Sequence, residues 1–153
     1  MRRIFTIGHS NRSADEFVKL LKEFGIRAVI DVRRFPTSKH EHFKRERLQE
    51  ILCEHGIKYF YLGDKLGGFR SGGYRSFMKT EEFLSGLEEL ERIAKKEVAA
   101  IMCAERFPWR CHRRFISMAL EERGWEVLHI IDNDRIWRPK RRRELEDLSN
   151  RGE

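Results

Sequence analysis

At 153 residues the chain fits one domain, long enough to bury roughly two thirds of its unfolded surface around a single core, and a second full domain is excluded. Its 40% hydrophobic content, with 11 phenylalanines, excludes a disordered chain although 37% of the residues are charged, and the net charge of +7 points to anionic partners, either a small molecule or nucleic acid. No apolar run approaches the roughly 18 to 20 residues of a membrane span, and Met1-Arg2-Arg3 leads straight into a strand-like segment without a signal-peptide core, so a soluble, cytoplasmic protein with no membrane contact is expected.

The first element is the β-type run Ile4 to Ile7, closed by Gly8. Ser13 then stands three residues before Glu16, a capping box that opens an amphipathic helix through Phe17, Leu20 and Leu21 to Gly25. Arg27 to Val32 reads as a second strand, and after a turn at Pro36 the helical period returns from Phe43 to His55 through Leu48, Ile51 and Leu52. Ile57 to Leu62 is a third strand. The segment Gly63 to Gly73 carries five of the 11 glycines and reads as a long functional loop before Tyr74, Phe77 and a helix from about Thr80 to Lys96. Val98 to Cys103 is a fourth strand, Arg110 to Arg123 a helix with the stripe Phe115, Ile116, Ala119 and Leu120, and Val127 to Ile131 a fifth strand.

Five strands alternating with four helices predict a single α/β domain over residues 1–153. Its expected form is a three-layer, open, mostly parallel five-stranded sheet with helices on both faces, Rossmann-like, with strand order 3-2-1-4-5 favoured over 2-1-3-4-5. From about residue 135 the chain becomes a basic tail, with the run Arg138-Pro139-Lys140-Arg141-Arg142-Arg143 either solvated or in contact with nucleic acid. Three asparagines and one glutamine beside so much charge resemble a thermophile's composition. The three cysteines cannot all pair within the chain, so reduced thiols are expected.

In sheets of this kind ligands bind beyond the carboxyl ends of the strands, where strand order reverses. The sequence places Gly8-His9-Ser10, Asp31-Val32-Arg33-Arg34 and Cys103-Ala104-Glu105-Arg106 at such ends, and the favoured order makes His9 face Cys103 across the switch point. His9 is suited to proton transfer near neutral pH, and Gly8 lets the backbone approach a ligand. Asp31, ending an apolar strand, needs a cation or donor such as Arg33 or Arg34 and is either catalytic or a structural ion-pair member. Cys111, His112 and Arg113 fall in the expected first turn of a helix, where free N–H groups lower a thiol's pKa and hold anions. Either thiol of Cys103 and Cys111 is thus a candidate nucleophile, with packing as the bland alternative; Cys53, on an amphipathic helix, is assigned to packing.

The catalytic candidates are therefore Cys103, Glu105, His9, Cys111, His112 and Asp31, and the anion-binding candidates Ser10, Arg33, Arg110 and Arg113. Phe35, Phe69, Tyr74, Phe107 and Trp109 lie among Lys39, Lys44, Arg70, Arg75 and Arg110, a mixture of rings and cations that suits a nucleotide or single-stranded nucleic acid. No cofactor is expected, since neither G-x-G-x-x-G nor the P-loop pattern is present. No metal centre is expected either, because Cys111 and His112 are adjacent and diverge by about 100° on a helix; the remaining metal option is Cys103, Cys111 and a remote histidine.

Taken together, Thr6-Ile7-Gly8-His9-Ser10, Ile30-Asp31-Val32-Arg33 followed by Pro36, Leu66-Gly67-Gly68, Cys103-Ala104-Glu105, Cys111-His112-Arg113 and His129-Ile130 resemble the DUF 488 family of small bacterial and archaeal proteins. The resemblance covers the chain to about Ile131 and implies one α/β domain with no established activity. The expected function is an enzyme acting on an anionic, nucleotide or nucleic-acid, substrate through thiol or acid–base chemistry. The alternatives are a nucleic-acid-binding module with structural cysteines and a thiol redox protein in which Cys103 and Cys111 form a reversible disulfide.

Overall fold

The computed structural model describes residues 2–138. These form one sheet of six strands, β1 (Arg2–Gly8), β2 (Ala28–Asp31), β3 (Lys58–Tyr61), β4 (Ala99–Cys103), β5 (Trp125–Asp132) and β6 (Arg135–Trp137), in the order β3-β2-β4-β1-β5-β6. The first five are parallel; β6 returns antiparallel to β5 through the two-residue turn Asn133–Asp134. The helices are α1 (Ala14–Glu23), α2 (Arg45–Glu54), α3 (Gly63–Leu66), α4 (Tyr74–Phe77), α5 (Glu81–Lys96) and α6 (Arg113–Glu122). Among the described residues no helix is long and apolar enough to cross a membrane.

The architecture is the expected open, mostly parallel α/β sheet covered on both faces. Side chains alternate across each strand, so one strand feeds two cores. Ile4, Ile30, Ile101 and Val127 pack with Leu87 and Leu90 of α5 and Ile116 and Leu120 of α6. Phe5, Ile7, Val29 and Met102 pack on the other face with Phe17 and Leu21 of α1 and Leu48 and Leu52 of α2. Each such buried side chain stabilises the fold by about 1.5 to 3 kcal/mol. The helix starts follow the sequence signals: Ser13 and Glu16 form the reciprocal capping box of α1, and the Thr80 hydroxyl accepts from Phe83 N at the start of α5.

The structure corrects the expected order in one respect: β4 and β1 exchange places, giving 3-2-4-1-5 before the added β6. Both strands are apolar toward both cores, so exchanging them leaves every hydrophobic period unchanged and only the pairing tells them apart. Their adjacency stands, with Gly8 opposite Cys103. β6 is three residues long, too short for a readable period, and it shifts the start of any tail from about residue 135 to beyond Trp137. Beyond Arg138 the basic run lies outside the described residues. The glycine-rich segment also begins in a helical turn, α3, which buries Leu66.

The connections explain where a crevice opens. From β1 the chain proceeds through β2 to the β3 edge with α1 and α2 on one face, then returns through β4 to β5 with α5 and α6 on the other. Right-handed crossovers require this change of face when the direction reverses. Neighbouring pairs such as β2/β4 and β4/β1 therefore have diverging loops at their carboxyl ends. The second gap is closed by backbone: His9 N donates to Cys103 O at 2.8 Å and Ser10 N to Ala104 O at 3.0 Å. Gly8 is pressed so close that a Cβ there would stand 1.8 Å from Glu105 O. Gly8→Ala is expected to cost about 3 kcal/mol or more, read from the urea midpoint, because backbone rather than a flexible side chain must move.

Candidate active site

The open gap, beyond β2 and β4, is a cleft of about 370 Å³. Six of the ten sequence candidates line it: Cys103, Glu105, Cys111, His112, Arg33 and Arg110. Cys103 ends β4 and is buried, whereas Cys111 lies two residues before α6, on the cleft rim. The expectation that Cys111 and His112 sit inside the first helical turn is corrected here. Pro108 to Arg110 form a separate short 3-10 turn, and the helix proper starts at Arg113. The helix terminus still reaches the thiol, because Arg113 N donates to Cys111 Sγ at 3.5 Å.

The two sulfurs are 2.7 Å apart. With Cys103 S–H as donor, this contact pulls Cys111 well below the ordinary thiol range; burial opposes the shift, while His112 and Arg113 N–H reinforce it. Burial pushes the Cys103 thiol up and its bond to Cys111 adds to the rise, with the Arg113 charge acting the other way. The two shifts run in opposite directions and favour the thiolate on Cys111 over Cys103. His112 is oriented to receive the thiol's proton. Its Nε2 lies 3.0 Å from Val32 O, which only accepts, so Nε2 carries hydrogen and Nδ1 faces Cys111 Sγ at 3.7 Å. The ring is held between Tyr74, with centroids 5.4 Å apart, and Gly68, where a Cβ would approach Nδ1 to 3.3 Å. Tyr74 in turn donates to Leu66 O at 2.7 Å.

Arg113 is behind the thiols rather than in the cleft. Its side chain is 0% exposed, NH2 donates to Arg106 O at 2.9 Å, and Nε and NH1 have no partner among the described residues. A buried guanidinium without a carboxylate lies beside a sulfur pair that carries a negative charge, which offsets part of the cost of burying either alone. Burial, and after it the positive charge of Arg113, holds His129 down at about 3; that imidazole shares a 2.6 Å hydrogen bond with Thr6 Oγ1.

The other candidates form a second cluster on the α1/α2 side. Asp31, 0% exposed, takes Arg33 Nε and NH2 at 2.9 and 2.8 Å, Arg33 N at 3.1 Å and Tyr59 OH at 2.5 Å. Arg33 NH1 also donates to Phe43 O at 2.7 Å. His9 is buried, stacked on Phe43 with centroids 4.2 Å apart, and donates from Nδ1 to Ser10 O at 2.8 Å. Burial, as the leading cause, lowers it to about 4. Ser10 adopts φ +51° where its backbone ties to the Cys103 loop. Neither His9, Asp31 nor Ser10 lines the cleft; Arg33 alone belongs to both clusters. The sequence reading missed Tyr59, whose approach to Asp31 depends on the β2–β3 register, and Arg12, which donates to Gly8 O and Ile131 O at 2.5 Å each. Among the described residues no group of three or more His, Cys, Asp or Glu is arranged to hold a metal ion.

His9 and His129 are neutral in the fold, with pKa values below that of an exposed histidine. The unfolded chain therefore binds more protons between about pH 6.5 and the native values, so stability is full above pH 6.5 and falls as pH drops. For His9 the loss by pH 4 is about 3 kcal/mol. Urea midpoints between pH 7 and 4 would show it, and His9→Gln would flatten that part of the slope.

No curated protein and no solved structure shows significant similarity to this chain. The family described as "Domain of unknown function DUF488" matches residues 13–120, a span that runs from the Ser13 cap through β2, the glycine-rich segment and both cleft cysteines into α6. The chain therefore belongs to the DUF488 family.

Proposed function

We propose that this protein is a thiol-dependent enzyme in which Cys111 is the nucleophile, His112 its proton carrier and Cys103 the supporting thiol, acting on an anionic substrate. The observation that carries this reading is the sulfur pair: buried Cys103 Sγ stands 2.7 Å from Cys111 Sγ on the rim of a cleft lined by Arg33, Arg34 and Arg110. Cys111 attacks the electrophilic centre of the substrate, forming a covalent bond to sulfur while the leaving group departs with the proton held by His112. Glu105 lines the same cleft, which supports a role as the second acid–base group.

The test compares iodoacetate, an anion, with neutral iodoacetamide, using peptide mapping to separate the sites. The ratio of the two alkylation rates should be about ten-fold higher at Cys111 than at exposed Cys53, and added phosphate should reduce it. Equal ratios at the two sites would remove the anionic-substrate reading.

A second reading, thiol–disulfide exchange, is favoured by the 2.7 Å sulfur separation. Cys111 attacks one sulfur of a substrate disulfide, the far sulfur leaves and takes a proton, and Cys103, losing its proton to solvent, then attacks Cys111. The second substrate thiolate is released and the Cys103–Cys111 bond forms, so two electrons pass to the substrate; a dithiol reductant resets the pair. Incubation with oxidised glutathione would then release two glutathione thiols per chain and leave Cys53 unbridged.

A further inference from the structure

We infer that the substrate of this cleft is a nucleotide unit whose base stacks on the Phe35–Phe69 pair and whose phosphate meets Arg34 and Arg110. This deepens the reading of an anionic substrate and rests on it. Three observations carry it. Phe69 is 84% exposed and Phe35 62% exposed, yet the two rings touch each other, with centroids 6.0 Å apart, at the mouth of the cleft. Most of each residue is thus open to solvent, as a stacking platform requires.

Second, Phe69 has φ +59°, a conformation that bulky residues avoid, although Gly67 and Gly68 precede it and Gly72 and Gly73 follow within the same segment. The strained turn is held by Arg34 NH1 donating to Phe69 O at 2.5 Å, while the Arg34 guanidinium also lies 5.8 Å from the Phe35 ring centre. An aromatic kept in solvent by a fixed, unfavourable backbone conformation is arranged to be presented rather than packed.

Third, the charges fit. Arg34 and Arg110 line the cleft and form no ion pair with a described residue, whereas Glu105 is the one carboxylate among its lining residues and suits the ribose hydroxyls or a base N–H. Gly68 links platform to chemistry, since it lies against the His112 ring that faces Cys111. The cleft volume of about 370 Å³ falls in the range of small-ligand sites.

The experiment is calorimetric titration of the reduced protein with AMP, ribose 5-phosphate and a five-nucleotide oligoadenylate. AMP should bind about ten-fold or more tightly than ribose 5-phosphate. Phe35→Ala and Phe69→Ala should each bring AMP toward the ribose 5-phosphate level, and Arg110→Ala should weaken both ligands; unchanged thermal midpoints would show that the variants fold. An oligomer that binds more tightly than AMP and loses that advantage in the phenylalanine variants identifies a strand as the source, and equal binding identifies the free nucleotide. Equal affinity for AMP and ribose 5-phosphate, full AMP affinity in both phenylalanine variants, or no binding of either ligand overturns the inference. Alkylation of Cys111, measured without nucleotide, reports separately on the thiol chemistry.

Discussion

Between pH 6 and 8, iodoacetamide will modify Cys111 at a nearly constant rate, and Cys103 will remain unmodified until the protein unfolds. A free thiol of pKa near 8.5 gains reactivity about ten-fold per unit over most of that range, because only its thiolate attacks. Cys111 is already deprotonated there, through the S–H bond from Cys103, the facing His112 and the Arg113 N–H, so little thiolate remains to be gained. Its intrinsic nucleophilicity is lower than that of a high-pKa thiolate, which makes the flat profile, rather than the absolute rate, the signature. Cys103→Ala removes the donating S–H and should restore a rising profile by moving the onset to higher pH. A profile for Cys111 that rises ten-fold per unit in the unmodified protein would show that the charge does not rest there.

Asp31→Ala will destabilise the protein by about 3 to 5 kcal/mol, measured from urea unfolding at pH 7, because it leaves the buried Arg33 cation without its carboxylate. The side chains of Asp31 and Arg33 are 0% and 5% exposed, and Tyr59 OH loses its acceptor in the same step. The effect should reach the cleft. Arg33 lines it, and with Asp31 gone the guanidinium keeps only neutral acceptors, Phe43 O, Thr37 O and His9 Nε2. Anionic ligand affinity should therefore change together with stability in this variant. In Arg110→Ala only affinity should change, since that residue is exposed. A loss below about 1 kcal/mol for Asp31→Ala would mean that water reaches the guanidinium when the carboxylate is removed.

Particular residues show how far the chain could be read. The α1 cap is local chemistry within four residues, and the structure contains it as the sequence implies. The strands followed from runs such as Ala99 to Cys103, apolar toward both cores, and the parallel arrangement followed from their alternation with helices. Cys103, Glu105, Cys111 and His112 could be grouped from the sequence because the strand-end loops of a parallel sheet all lie along one edge. His9 stands outside the cleft lining for an equally physical reason. Its backbone does meet the Cys103 loop, but the side chain turns to the opposite core and stacks on Phe43, a contact set by α1/α2 packing rather than by any nearby spacing.

What the amino-acid order determined unaided is whatever depends on neighbours within a turn or two: helix caps, strand runs, the mostly parallel α/β class and the strand ends that carry reactive groups. Tertiary structure alone decided which gap stays open, which thiols meet and which cations are free of ion pairs among the described residues. Those outcomes arise from contacts across many residues. Gly8 against Glu105 seals one gap, Cys103 S–H beside Cys111 moves the charge to the rim, and Asp31 with Tyr59 occupies Arg33. Strand pairing and desolvation create each of these, and neither has a local sequence period.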